Sequence, residues 1–120
     1  MFKIKMIGYT DNEELSILYS SARCLLYPSL YEGFGLPILE AFSSGTPVIC
    51  SNTTSMPEVA GDAALMINPE SITEINYATL KLLTDSVLEK NLIKKGLMRA
   101  KKFTWAKTAE ETLSVYRSIK

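Results

Sequence analysis

The sequence predicts an α/β domain in which a parallel β-sheet carries helices on its faces. Short apolar runs alternate with segments of helical periodicity as far as Ile67, and from Ser71 onward only helical patterns follow. A chain of 120 residues with 47% hydrophobic content is long enough to bury a real core. We therefore expect one domain, spanning residues 1–120.

Four short apolar runs are predicted to be the strands. The first alternates apolar and basic residues before it becomes apolar throughout, as strands often do. The second is wholly apolar and ends at Pro28, as expected of a strand buried on both faces of a parallel sheet. The four runs are residues 2–7, 24–27, 47–50 and 64–67.

The helices are predicted from the residues that would begin them. Several have a capping-box pattern, in which a glutamate follows the capping residue after three positions. The residues predicted to begin or cap the five helices, with or without this pattern, are Asp11, Pro37, Ser71, Ser86 and Thr104. The helix from Pro37 should stop at Gly45, and the last helix should bury a face that includes Trp105, Leu113 and Tyr116. A short turn is expected at residues 57–59.

The segment YEGFGLPILE, residues 31–40, carries the strongest functional signal. Its glycines permit a tight loop, and Pro37 is well suited to the first position of a helix. The unpaired amides and positive dipole end of such a helix attract an anion. Glu32 in the loop and Glu40 in the helix add two carboxylates at the same cleft. A nucleotide sugar, with phosphate and many hydroxyls, would suit both features, although glycine-rich turns before helices also occur as purely structural turns.

The predicted topology supports the same location. In parallel sheets, ligands bind beyond the carboxyl ends of the strands. The loops at residues 8–10, 28–35 and 51–57 all follow predicted strands and should therefore meet at that edge.

Composition excludes several kinds of chemistry and reveals uneven charge. Histidine is absent, which removes Ser-His and Cys-His nucleophiles and the usual zinc ligands. Cys24 and Cys50 lie in apolar runs and are expected to be reduced core residues.

The charge is distributed unevenly along the chain. Between Met6 and Leu80 there are nine acidic residues and one basic residue, Arg23. A cation for a bound pyrophosphate is therefore expected from outside the first eighty residues.

Several motifs in order resemble one family over essentially all 120 residues. They are YPS at 27–29, EGFGLPILEA at 32–41, SGTPVI at 44–49, PEV at 57–59, GDAA at 61–64 and FTW at 103–105. This set is similar to the C-terminal domain of retaining, family-4-type (group 1) glycosyltransferases. Those enzymes have the two-domain GT-B fold with Rossmann-like halves, and the C-terminal half binds most of the nucleotide-sugar donor.

The resemblance implies roles for individual residues. Glu32 would be the catalytic-site glutamate that contacts the hydroxyls of the donor sugar, and Glu40 would accept hydrogen bonds from the ribose. Tyr9 and Thr10 match the loop that usually touches the base. The backbone N–H groups presented to the sugar and the distal phosphate would be those of Gly33, Phe34, Gly35 and Leu36.

The departures from the family are also informative. A complete member has an upstream glycine-containing loop with an Arg and a Lys that clamp the pyrophosphate, and an N-terminal acceptor domain. The chain is thus expected to be a truncated C-terminal half of a GT-B fold that is inactive alone. The full-length protein would transfer a hexose from UDP or GDP, with retention, to an unknown acceptor in cell-surface polysaccharide or glycolipid synthesis. No cofactor and no metal are expected, since an Asp-x-Asp motif is absent.

Competing interpretations remain open at this stage. The chain could be a free-standing, non-catalytic nucleotide-binding or interaction module, or a scaffold whose glycine loop is merely a turn. The resemblance favours a cytoplasmic protein. The lysine-rich face formed by Lys90, Lys94, Lys95, Arg99 and Lys102 raises the question of peripheral membrane contact. Nucleic-acid binding is not expected, because the predicted cleft is acidic.

Overall fold

A computed structural model describes residues 3–119, whose centre is a three-stranded parallel sheet with strand order β1-β2-β3. The strands are β1 (Leu25–Tyr27), β2 (Val48–Ser51) and β3 (Leu65–Ile67). The helices are α1 (Asn12–Ser21), α2 (Leu36–Ser43), α3 (Met56–Ala60), α4 (Ile72–Thr84), α5 (Ser86–Ala100) and α6 (Trp105–Ser118). The predicted α/β class, a parallel sheet with flanking helices, is confirmed.

The central strand β2 divides the core into two apolar clusters. Val48 and Cys50 belong to the cluster that contains the buried residues of α2 and α3. Ile49 belongs to the other cluster, which includes Leu82 of α4 and Leu92 of α5. Successive side chains of a strand point to opposite faces, so both faces of β2 are covered and all four of its residues are buried. This arrangement holds the carboxyl ends of the strands at one edge.

The predicted helix starts are confirmed where a side chain can cap the backbone. Asp11 Oδ1 accepts a hydrogen bond from the Glu14 backbone N–H at 2.8 Å. The hydroxyl groups of Ser71 and Thr104 accept equivalent bonds from residues three positions later. The start of α5 differs by one residue, because Asp85 rather than Ser86 caps it by accepting from the Leu88 N–H at 3.0 Å.

The predicted first strand is wrong over its described residues. Residues 3–7 have no regular structure, and the side chains of Ile4 and Met6 are 89% and 96% exposed. Phe2 lies outside the described residues. An alternating pattern forms a strand only where a neighbouring strand satisfies its backbone. No strand in residues 3–119 pairs with this segment, so the sheet has three strands instead of four.

Two predictions of burial also fail. Leu26 of β1 is 40% exposed, so this strand is not buried on both faces. On α6, the predicted inner residues Leu113 and Tyr116 are 48% and 69% exposed, and the Trp105 side chain lies outside what the structure describes. An amphipathic face becomes buried only if another apolar surface covers it. Of the α6 side chains that the structure describes, those of residues 106–118, none is buried.

Candidate functional site

The start of α2 is built by a glycine in a left-handed conformation. Gly35 has φ 82° and ψ 47°, and it precedes the first helical residue, Leu36, which is one position before the predicted start at Pro37. A side chain at Gly35 would place its Cβ 3.2 Å from the Cδ1 of Ile38. The first turn carries neither a capping side chain nor an acidic residue. The helix N-terminus is therefore open to an anion.

The amides around this turn are available to a ligand. Within residues 3–119, no hydrogen bond uses the backbone N–H groups of Gly33, Phe34, Gly35 and Leu36, the residues predicted to present amides. In contrast, the Ile38 N–H already donates to the Gly35 carbonyl at 3.0 Å.

Glu32 is held in place by hydroxyl groups. Its Oε1 accepts hydrogen bonds from the Tyr27 hydroxyl and, at 3.2 Å, from Ser29 Oγ. Its backbone N–H donates to Thr54 Oγ1 at 3.3 Å, and its carbonyl accepts from Ser55 Oγ at 2.8 Å. The loop after β1 is thereby joined to the segment between β2 and α3.

Two tyrosines adjoin the two glutamates. Burial, the hydrogen bond to Glu32 and the charge of that carboxylate raise the pKa of Tyr27 to about 12. Burial and then the hydrogen bond and charge of Glu40 raise the pKa of Tyr19 to about 12 as well. Both phenols therefore remain protonated, and able to donate, throughout the neutral range.

Glu40 lines a cavity of about 730 Å³ that lies between α1, α2 and the beginning of α6. Asn12 and Tyr19 line it from α1, and Leu36 lines it from the start of α2. Phe34 forms one wall together with Phe103, their ring centroids lying 5.8 Å apart in an edge-to-face arrangement. A cavity of this volume is in the range of small-molecule sites.

Tyr9 and Thr10 lie elsewhere. They line a smaller concavity of about 330 Å³ with Ile7 and Ile17, and the Tyr9 side chain is 95% exposed. The structure thus brings the glycine loop, Glu40 and the larger cavity together but does not bring Tyr9 or Thr10 to them. Contact of these two residues with a base stays a prediction.

One contribution that sequence reasoning missed comes from Arg99. Its Nε donates to the Val59 carbonyl at 3.0 Å, and a second guanidinium nitrogen donates to the Glu58 carbonyl. Its guanidinium also lies 5.4 Å from the ring centroid of Phe103, which packs on Phe34. In the sequence, Arg99 follows the neighbouring lysines at helical spacing, and this pattern gave no sign that its side chain would bond to α3 or contact Phe103. Arg99 supports the glycine loop through two aromatic rings.

The only basic residue between Met6 and Leu80 is engaged away from the cleft. Arg23 donates to the Leu83 carbonyl at 3.3 Å and lies 3.4 Å from the Glu89 carboxylate. It therefore supplies no charge for an anion at α2.

The parallel sheet with its flanking helices and the glycine loop before α2 define a Rossmann-like α/β domain, and the cavity runs along α2 from Leu36 to Ser44. Residues 2–99 match the family described as glycosyl transferases group 1, and the chain belongs to this family. The resemblance to the C-terminal domain of a GT-B enzyme is confirmed.

Similar proteins support this assignment. The chain is 46% identical over 116 residues to O-antigen chain mannosyltransferase B of Escherichia coli, covering 97% of this chain and 30% of the relative. It is 41% identical over 114 residues to MMP alpha-(1->4)-mannosyltransferase of Mycolicibacterium hassiacum, covering 91% and 27%. The structure of a sucrose-phosphate synthase from Thermosynechococcus elongatus superposes with a TM-score of 0.83 at 31% identity, covering 94% and 29%. The chain thus spans less than a third of each of these proteins.

Proposed function

We propose that this chain is the donor-binding part of a retaining hexosyltransferase, and that the hexose is mannose. Membership of the family supports glycosyl transfer. The relatives named mannosyltransferases support the sugar, and those named for the O-antigen support an acceptor in polysaccharide synthesis. The donor is then a nucleoside diphosphate mannose.

One observation carries this proposal: Glu32 and Glu40 lie on either side of the unused backbone amides of residues 33–36. The diphosphate would lie against the N–H groups of Gly33 to Leu36, where the dipole of α2 favours negative charge. Glu40 would accept from the ribose at the mouth of the larger cavity. Glu32, with Oε1 engaged by the protein, would offer Oε2 to the hydroxyls of the sugar.

Catalysis would rest on stabilising the leaving diphosphate. The leaving diphosphate gains negative charge when the bond between it and the anomeric carbon of the sugar breaks. Backbone amides that are already oriented toward that charge need no reorganisation. The dipole contributes only about 0.3–1 kcal/mol at an exposed position. Since Arg23 is bound to Glu89, basic side chains for the pyrophosphate would come from the remainder of the protein, as would the acceptor domain. The glutamates act as ligands, and no covalent glycosyl-enzyme is required.

The lysine-rich face, which runs along α5 and into the turn after it, supports a further part of the proposal, peripheral contact with anionic lipid on the cytoplasmic side. Lys90 and Lys94 of α5 and Lys102 of the turn are exposed, whereas Lys95 lies 3.5 Å from Asp62 and Arg99 is bound to α3. Three free lysines would give weak, salt-sensitive attraction. Among the described helices, none has the length and apolar character needed to cross a membrane.

Calorimetric titration of the full chain with GDP-mannose, GDP and UDP-glucose tests the proposal. We expect GDP-mannose to bind and Glu40→Gln to weaken both GDP-mannose and GDP by roughly tenfold, the value of a hydrogen bond to a charged group. Glu32→Gln should weaken GDP-mannose alone. Glu70→Gln, which alters an exposed glutamate beyond β3, is the matched control.

Absence of binding by every nucleotide would contradict the proposal and favour a scaffold. Binding of GDP and GDP-mannose with equal affinity, unaffected by Glu32→Gln, would favour a nucleotide-binding module. Sugar transfer by the chain alone is expected to be undetectable, and clear turnover would show that the remainder of the protein is not needed.

A further inference from the structure

Thr54 has a backbone conformation that threonine rarely adopts. Its φ is 55°, and it is the only residue other than glycine with a positive φ in the range 3–119. Left-handed backbone angles are a genuine outlier for a β-branched side chain and persist only where the surroundings impose them. Such strain is concentrated at functional sites.

The contact made by Thr54 is directed at Glu32. Thr54 Oγ1 accepts a hydrogen bond from the Glu32 backbone N–H at 3.3 Å, and the neighbouring Ser55 Oγ donates to the Glu32 carbonyl at 2.8 Å. Thr54 is itself exposed, so core packing does not account for its conformation. The strained turn places two hydroxyl groups on one peptide of the glycine loop.

The carboxylate of Glu32 is oriented by a second pair of hydroxyls. The Tyr27 hydroxyl donates to Oε1. The single proton of Ser29 Oγ is shared between Oε1, at 3.2 Å, and the Tyr31 carbonyl, at 3.1 Å, and within residues 3–119 no hydrogen bond reaches Oε2. Ser29 is fixed in turn, because its carbonyl accepts from the buried Ser51 Oγ at 2.6 Å. All of these partners are neutral hydroxyl groups, and they leave one carboxylate oxygen without a partner among the described residues.

We propose that Tyr27, Ser29 and Thr54 are positioning residues for the donor sugar: they fix Glu32 so that Oε2 alone faces the hydroxyls of the hexose. This inference rests on the proposed function, because it assigns these residues to the sugar subsite of the same cleft. Since the nucleotide contacts other groups, loss of these hydroxyls should reduce the affinity for the sugar part only.

The ratio of the dissociation constants for GDP-mannose and GDP, measured on the full chain, isolates this effect. Tyr27→Phe and Thr54→Gly should each raise the ratio roughly 2- to 10-fold, the loss of one neutral hydrogen bond. Thr54→Ser, which keeps the hydroxyl, should restore the wild-type ratio. Tyr31→Phe is the matched control, because Tyr31 lies in the same loop with a side chain that is 78% exposed.

The melting temperature separates positioning from a structural role. Glycine relieves the left-handed strain at position 54, but it also removes one hydrogen bond and makes the unfolded chain more flexible, so Thr54→Gly should melt close to the wild-type temperature while its ratio rises. A ratio that stays at the wild-type value in Thr54→Gly and Tyr27→Phe would overturn the inference and leave the proposed function intact.

Amide hydrogen exchange tests the contact between Thr54 and Glu32 independently of nucleotide binding, so its failure is distinct from failure of the proposed function. Exchange at the Glu32 N–H should be faster in Thr54→Gly than in the wild type and normal in Thr54→Ser. Equal exchange in all three proteins would overturn the inference.

Discussion

Replacement of Gly35 by alanine should destabilise the chain by about 1–2 kcal/mol. The left-handed conformation at φ 82° costs an L-residue about 1–2 kcal/mol. The new Cβ would also lie 3.2 Å from Cδ1 of Ile38, a buried side chain that must shift by a few tenths of an ångström. The smaller backbone entropy of alanine in the unfolded chain offsets part of this, by about 0.4–1 kcal/mol.

Thermal and urea unfolding of the full chain measure this change. At roughly 2 cal/mol/K of unfolding entropy per residue, a chain of 120 residues should melt about 4–8 °C lower. Gly33→Ala is the control: Gly33 has no positive φ, and no atom lies within 4 Å of its new Cβ. If Gly35→Ala were as stable as the wild type, or if Gly33→Ala lost as much stability, the account of this turn would be refuted.

Three further predictions concern packing and protonation. Gly96→Ala in α5 should lower the free energy of unfolding of the chain, measured in urea, by about 1–3 kcal/mol, because the new Cβ would lie 2.8 Å from the buried Phe42 ring. Alanine normally stabilises a helix, so a gain in stability would contradict this contact. Arg99→Lys should melt at a lower temperature and release Phe103, because a flexible ammonium group lacks the rigid planar fork with which the guanidinium bonds both carbonyls of α3. Unchanged NMR shifts of the Phe34 and Phe103 rings would argue against this. The raised pKa values of Tyr19 and Tyr27, about 12, mean that the folded state holds these protons more tightly than the unfolded state, so the contribution of these two groups to the unfolding free energy should fall as the pH rises from 10 toward 12. The buried Cys50 thiol, whose pKa is raised from 9.0 to about 11, adds a fall that begins at lower pH. The total fall should be less steep in Tyr27→Phe, and an equally steep fall would exclude Tyr27 as a source.

The parts of the fold that sequence could predict are those with local causes. Asp11, Ser71 and Thr104 cap their helices through bonds to residues three positions away, so short-range pattern suffices. The strand β2 was predicted because its own short run of apolar residues indicates a strand, without reference to distant partners. Gly35 was identifiable for the same reason, since the turn before α2 needs its φ.

The parts that failed depend on distant partners. The alternation in residues 3–7 predicts a strand only if another strand lies beside it, and the amphipathic pattern of α6 predicts burial only if a surface covers it. The same limit applies to the site. Thr54 and Glu32 are 22 positions apart in the sequence, and Arg99 reaches carbonyls 40 and 41 positions away. No spacing rule links residues at such separations.

The most direct test of the central claim is an amide NMR titration of the full chain with GDP-mannose. We expect the largest shifts at Gly33, Phe34, Gly35 and Leu36, smaller ones around Glu40 and the cavity wall at Thr108, and none in the part of α6 beyond Thr108. Shifts confined to the concavity beside Tyr9, or no shifts at all at saturating ligand, would contradict a diphosphate bound at the start of α2.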